Sequence, residues 1–322
     1  MGAPLSAARV IVGGAGIAGA SCAAALRRAG IETIVRERGR APGGRMASPV
    51  LHGRPVDVGA AYFTAQDDRF AGVVADWERR SLARQWIDTL DVLDHGARDT
   101  ATGRSRWSAP GGLRALVGDL LDGVDVALGA EICDVSERDG RVDVDGERVN
   151  AVVLAMPDPQ AARVLGTRLG IDWVDYEPVI AVVAGWDERH WQLADAAFVN
   201  NDPDITLIAD DGARRGDGAP VLVMHTTADR ARRHLSAPNE AVPAVLEALR
   251  RTLGVDAAPG WTHAHRWTYA KPAATHGAEP FALTDAMIAV AGDSWCPSGL
   301  PRVEAAWLSG NRLGAELARR LG

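Results

Sequence analysis

The chain has 322 residues, 47% of them hydrophobic and 35 of them glycine, with no low-complexity tract, which is enough to bury a full core divided over two domains. Lysine and arginine total 35 against 42 acidic residues, a net charge of −7 with the arginines dispersed, so a nucleic-acid partner is not expected. No run approaches the ~18 consecutive apolar residues of a membrane span and the start lacks the pattern of a signal peptide, so the reading is a cytoplasmic protein with no membrane partner.

Met1-Gly2-Ala3-Pro4-Leu5-Ser6 matches a loose myristoylation pattern, taken as chance because a core strand begins a few residues later. Residues 9–12 (RVIV) are that strand. Residues 17–29 follow as a helix of small residues ended by Gly30, and 31–37 alternates as a second strand, a βαβ start with a parallel sheet. A helix is predicted over about 67–84, with a capping-box-like start at Thr64 and Asp67, and another over 113–121. Residues 124–149 read as an antiparallel meander turning at Asp139-Gly140 and Asp145-Gly146, and 151–155 as a buried strand. Between about 176 and 284, strands at 179–186, 205–209, 220–227 and 261–269 alternate with a helix near 239–253. This stretch holds six of the eight histidines, and with Trp186, Trp191, Trp261 and Trp267 it suits a mixed sheet bordering a ligand cavity. The end returns to the opening style, with a strand at 287–292 and a helix from about 303 to 321 in which Pro301 suits the first turn.

The fold class predicted is α/β: a Rossmann-type domain built from both chain ends, with an inserted mixed α+β substrate domain. The expected boundaries are 1–75, 107–175 and 285–322 for the first domain, and 76–106 with 176–284 for the second.

Three motifs carry chemistry. Gly14-Ala15-Gly16-Ile17-Ala18-Gly19 is a GxGxxG fingerprint set between strand and helix, where the glycines allow a tight turn, close approach of a pyrophosphate and close helix packing. The helix N-terminus then favours phosphate. Glu37, 18 residues beyond Gly19 at the end of the second strand, is placed to accept ribose hydroxyls. Gly43-Gly44-Arg45 adds a second glycine pair and an arginine near the pyrophosphate, a pattern that resembles the extended motif of the flavin-containing amine oxidase superfamily and favours FAD over NAD. Gly292-Asp293 follows the last strand, where a carboxylate can accept ribityl hydroxyls while the next helix aims its N-terminus at the flavin.

At these residues the chain resembles the renalase-like flavoproteins, which share the p-hydroxybenzoate hydroxylase type of fold. The blocks that carry the likeness are VGGAGIAG (12–19), PGGRM (42–46), DVGAAYFTAQDDRF (57–70), APGGL (109–113), VLAMPDPQ (153–160), LVMHTT (222–227), HRWTYA (265–270) and GDSWCPSGLPRVEAAWLSG (292–310). The resemblance implies noncovalent FAD held through the fingerprint, Glu37, Arg38, Gly44, Arg45, Met46, Ala61-Tyr62, the backbone of Ile132, Asp293, Arg302 and Val303. It also implies hydride transfer from 2- or 6-dihydro isomers of NAD(P)H to flavin N5, with reoxidation by O₂ to hydrogen peroxide. Tyr62, His225, Trp267, Tyr269 and Trp295 are the candidate catalytic and substrate contacts: aromatic faces to clamp a planar ring, and an imidazole to bond a carboxamide or phosphate. For each a core role is an equal expectation.

Amine oxidation of a small amine is the competing activity, and a flavin-binding protein without turnover is a third reading. Amine oxidases of the superfamily place a lysine near flavin N5 on the first long strand of the substrate domain. Here that strand, Pro178 to Trp186, has none, and Lys271 is the only lysine in the chain. Cys296 lies in the loop after Asp293, away from the covalent position of the superfamily. Cys22, Cys133 and Cys296 are too scattered for a metal site, so no metal is expected and all three read as reduced thiols.

Overall fold

The computed structural model describes residues 8–138, 140–167 and 169–322. The opening Met1–Ser6 and the Asp139 half of the first predicted meander turn lie outside them. The chain forms two compact units: residues 1–44, 117–176 and 272–322, and residues 45–116 with 177–271. These cut points differ from the expected ones, because 45–75 and 107–116 fall in the second unit, and residue 176 and 272–284 in the first. Phe63 exchanges both backbone hydrogen bonds with Trp107, which ties the two reassigned segments together.

In the first unit, strands from the start, middle and end of the chain build one sheet among the described residues. Its order is Ala282–Leu283, Ile288–Val290, Ala151–Leu154, Arg9–Gly13, Glu32–Glu37, Asp125–Leu128. All neighbours run parallel except the short first strand. Val10, Ile11 and Val12, with all four residues of Ala151–Leu154, are buried, as a sheet covered on both faces requires. Helix Ile17–Arg28 packs on strands Arg9–Gly13 and Glu32–Glu37, and the last helix, Val303–Leu321, packs against it. The two approach closely because Gly310 and Gly314 lack side chains: a Cβ there would lie 1.9 Å from the Ala18 carbonyl oxygen and 2.6 Å from that of Cys22. The Ser21 hydroxyl donates across the pair to the Trp307 carbonyl at 2.9 Å.

Only the second part of 124–149 is a meander. Val135–Arg138, Arg141–Val144 and Glu147–Val149 pair antiparallel, turning at Asp145 and Gly146, both at positive φ. Asp125–Leu128 instead extends the parallel sheet beside Glu32–Glu37. The last helix begins at Val303 with Arg302 as its N-cap, so Pro301 precedes the helix and is not part of its first turn.

The second unit is a seven-stranded sheet among the described residues. Its order is Trp261–Pro272, Tyr176–Gly185, Val221–Thr226, Ile205–Asp210, Ala196–Asn200, Arg84–Asp94, Ala97–Ser108. One face buries Ile180, Val182, Leu222, Met224 and Ile208 against helix Val242–Leu253. The helix predicted from 67 runs from Asp68 to Arg79, its Asp67 cap accepting from the Arg69 N–H at 3.0 Å. It stops there because Ser81 turns at φ 60 and Arg84 opens a strand. The long hairpin Arg84–Ser108 that follows was not foreseen. Among the described residues no helix is long and apolar enough to cross a membrane.

Candidate functional site

The fingerprint loop has the geometry its glycines imply, each for a different reason. Gly14 sits at φ 105, and a Cβ on it would lie 2.4 Å from the Ala155 carbonyl oxygen. A Cβ on Gly19 would lie 1.9 Å from the Gly14 carbonyl oxygen, so this glycine lets the helix press on the loop. Gly16, the N-cap, has an ordinary extended backbone, and a Cβ on it would meet nothing nearer than the Gly44 Cα at 4.0 Å. The folded chain gives no reason for a glycine at 16; a pyrophosphate lying against the loop does. Ile17 and Ala18 open the helix there, with no side-chain cap on its first N–H groups.

The second glycine pair stands against this loop. The Gly43 N–H donates to the Ala15 carbonyl at 2.8 Å, and Gly44, at φ 51, brings its backbone beside Gly16. Glu37 closes the other side: its carboxylate accepts from the Ala15 N–H at 2.8 Å and the Gly39 N–H at 2.6 Å. Each carboxylate oxygen keeps a second lone-pair direction for a ribose hydroxyl. Arg38 makes an exposed 3.5 Å pair with Glu131, a weak contact that leaves its guanidinium near the surface. Ile132 turns its side chain into the core over Gly13, where a Cβ would lie 2.6 Å from the Ile132 Cδ1.

At the far end of the sheet, Asp293 is buried and its Oδ1 accepts from the Tyr176 hydroxyl at 3.1 Å. Arg302 and Val303 start the last helix. Trp295 is buried in the core of this unit, its ring stacked on His276 at 3.7 Å. The Cys296 thiol is buried and held by the Ser298 hydroxyl and the Leu300 carbonyl. All three cysteines are free, and burial pushes the Cys22 thiol up to about 12, far from a reactive thiolate. The open space at Gly16, the Glu37 carboxylate and the buried Asp293 fit a dinucleotide cofactor.

The remaining candidates lie in the second unit. Arg45 donates to the Ala270 carbonyl at 3.0 Å, and the buried Met46 follows it in a 3-10 turn. The sheet face opposite helix Val242–Leu253 carries Ala181, Val183, Val221, Val223, Leu207 and Ala209. His225 belongs to this face, since it stands opposite Ala181 on one neighbouring strand and Leu207 on the other. Leu207 packs with Ala61 and Tyr62, while Ala181 belongs to the cluster against which Trp267 packs. His225 therefore lies between the Tyr62 and Trp267 groups. The Trp267 indole N–H donates to the Val58 carbonyl at 2.7 Å, and an Arg106 guanidinium lies 5.3 Å above the Tyr62 ring. Tyr269 is two residues along the strand from Trp267, on the same side.

The His225 Nε2 is buried without a hydrogen-bond partner. Burial, helped by the Arg214 guanidinium, pushes its pKa down to about 4. Sequence reasoning passed over His265, whose ring lies 4.5 Å from that of Trp267 and whose pKa burial also pushes down to about 4, with His263 and Arg114 adding. The signal was present in the alternation of His263, His265, Trp267 and Tyr269 along one strand face. It also passed over Arg214, fully buried, which donates to the carbonyls of Ala61 at 3.0 Å and Asp57 at 3.2 Å and so fixes the segment bearing Tyr62.

Comparison with known proteins bears on the family and the fold. Residues 11–77 match the family described as NAD(P)-binding Rossmann-like domain, and residues 68–317 match that described as Flavin containing amine oxidoreductase. A curated relative, hydroxyneurosporene desaturase of Rubrivivax gelatinosus, is 38% identical over 81 residues, 24% of this chain and 15% of that protein. Among solved structures, one ascribed to a protoporphyrinogen oxidase of Exiguobacterium sp. 255-15 aligns with a TM-score of 0.78 at 16% identity, covering 98% of this chain and 100% of the other. Cyclohexylamine oxidase of Brevibacterium oxydans IH-35A aligns with a TM-score of 0.75 at 14% identity, covering 98% and 99%. Putrescine oxidase bound to putrescine aligns with a TM-score of 0.72 at 15% identity, covering 98% and 100%. The structural likenesses speak for the fold. The family match spans most of the chain: it belongs to the flavin-containing amine oxidoreductases, and it is an FAD-dependent oxidoreductase.

Proposed function

We propose that this flavin-containing amine oxidoreductase family member takes a hydride from a reduced nicotinamide-like donor, a 2- or 6-dihydro isomer of NAD(P)H, and delivers the electrons to O₂. The balance is one donor, one O₂ and one proton giving one NAD(P)⁺ and one hydrogen peroxide. Noncovalent FAD, when bound, supplies the two-electron acceptor. The fingerprint loop and Glu37 would hold its pyrophosphate and ribose, and Asp293 its ribityl hydroxyls.

The observation that carries this reading is the pair of weakly basic imidazoles on the sheet face opposite helix Val242–Leu253. With pKa values near 4, His225 and His265 stay neutral at pH 7 and are poor at taking a proton from an ammonium. A dihydropyridine needs no such help, because losing hydride makes its ring aromatic. The unpartnered His225 Nε2 is suited to a carboxamide, and Trp267 and Tyr62 to a planar ring. Strand Tyr176–Gly185 carries no lysine, and Lys271 is exposed.

Oxidation of a small amine is the second reading, favoured by the family match itself. Anaerobic mixing of the holoenzyme with both donor classes separates the two. The proposal expects the visible flavin band to bleach with the dihydro isomers far faster than with simple amines or ordinary 4-dihydro NADH. Rapid bleaching by a primary amine, with none by the isomers, would replace it with amine oxidation.

A further inference from the structure

Asp158 opens helix Asp158–Leu165, yet it is fully buried, and its carboxylate serves three chain segments at once. Its Oδ1 accepts from the Ser294 hydroxyl at 2.6 Å. Its Oδ2 accepts from the Val174 N–H at 3.0 Å and meets the His276 Nε2 at 2.6 Å. The backbone N–H of His276 donates to the Ser294 carbonyl at 2.9 Å, so residues 158, 276 and 294 form a closed ring of contacts. A buried carboxylate is costly unless its oxygens are satisfied, and this one is satisfied by groups that have no other link in sequence.

Two arms of the cluster end beside the same residue. Ser294 is the chain neighbour of Asp293, and Val174 stands two residues before Tyr176, whose hydroxyl donates to Asp293. We infer that Asp158 is a positioning residue that sets the Asp293 carboxylate for the cofactor from both sides, through Ser294 and through Tyr176. The inference rests on the reading of Asp293 as a ribityl contact. Asp158 touches neither cofactor nor substrate in this assignment; it acts through the direction in which Asp293 points. The same cluster holds the His276 ring against which Trp295 stacks.

The test is a double-mutant cycle on the holoenzyme, with FAD affinity and the midpoint potential of the bound flavin as readouts. Asp158→Asn keeps the shape but removes the charge: with its carbonyl oxygen held toward the Val174 N–H, its amide nitrogen takes the place that accepts from Ser294, and that hydroxyl must turn. FAD Kd should rise about tenfold, roughly 1.4 kcal/mol, with a shift in potential. In an Asp293→Ala background the same change should add little, because its route is gone. If Asp158→Asn does not fold, Ser294→Ala and Tyr176→Phe carry the same cycle. A change that lowers only the melting temperature, or one that adds in full to Asp293→Ala, overturns the inference. Should Asp293→Ala itself leave Kd and potential unchanged, the ribityl reading falls first, and this inference with it.

Discussion

Gly44 leaves Gly16 room for a side chain: a Cβ on Gly16 would lie 4.0 Å from the Gly44 Cα, ordinary van der Waals contact. Gly14 and Gly19 have no such room. Gly16→Ala should therefore leave the apoprotein's melting temperature nearly unchanged while FAD binding weakens sharply. Gly19→Ala should lower the melting temperature itself, by a clash costing about 1 to 3 kcal/mol. Thermal scans of the apoproteins and FAD titrations together check the contrast, and equal destabilisation by both changes would refute it.

Removing the Glu37 carboxylate strands the Ala15 and Gly39 N–H groups as well as a ribose contact. Glu37→Ala should weaken FAD retention by about 1.5 to 3 kcal/mol, the usual worth of hydrogen bonds to a charged group. Flavin titration measures it; an unchanged affinity would mean that Glu37 braces the loop and does not meet the ribose.

His225 should make stability depend on pH. Its pKa of about 4 in the fold lies below the ordinary 6.5, so the unfolded chain binds the extra proton as pH falls through that window. Stability is then full above about 6.5, falls as pH drops towards 4, and the loss amounts to about 3 kcal/mol at most. Denaturant unfolding of wild type and His225→Gln across this range should give a flatter profile for the variant. Identical slopes would show that the imidazole is not held neutral.

Acid precipitation should release the flavin into the supernatant. The Cys296 sulfur is engaged by Ser298 and Leu300 in a buried loop, and Cys22 is a deeply buried thiol. A yellow pellet would be evidence of a covalent link.

The helix pair behind the fingerprint should be intolerant of bulk. Gly310→Ala would set a methyl group 1.9 Å from the Ala18 carbonyl oxygen, and the melting temperature should fall by several degrees or the protein should fail to accumulate. A wild-type melting curve would show that the helices can part without cost.

Much of the nucleotide end of the molecule was legible because its chemistry is local. A glycine spacing, an acid at the end of the next strand and a βαβ rhythm all sit within the first forty-odd residues. The last helix was legible for the same reason. Other features depend on partners distant in the chain. Hairpin Arg84–Ser108 is largely polar on one strand and turns at His95 and Gly96, both at positive φ, in place of the familiar Asn-Gly pair. Asp125–Leu128 joins a parallel neighbour that no local turn announces. Asp158 carries no signal of its own in the sequence, and only the fold brings it to His276 and Ser294. Arg214 is similar: one arginine among many until the fold buries it under Ala61.

The strand order of the first sheet also has a temporal side. Ile288–Val290 completes the sheet beside Ala151–Leu154, and the helix that backs Ile17–Arg28 is the last element of the chain. During synthesis the fingerprint emerges well before its covering helix, so the small-residue face of Ile17–Arg28 stays open to solvent until Val303–Leu321 has been made. FAD capture then awaits the emergence of Asp293 and of the helix that follows it. Nascent chains arrested before Asp293 should retain no flavin, whereas full-length chains should load it when FAD is added after synthesis.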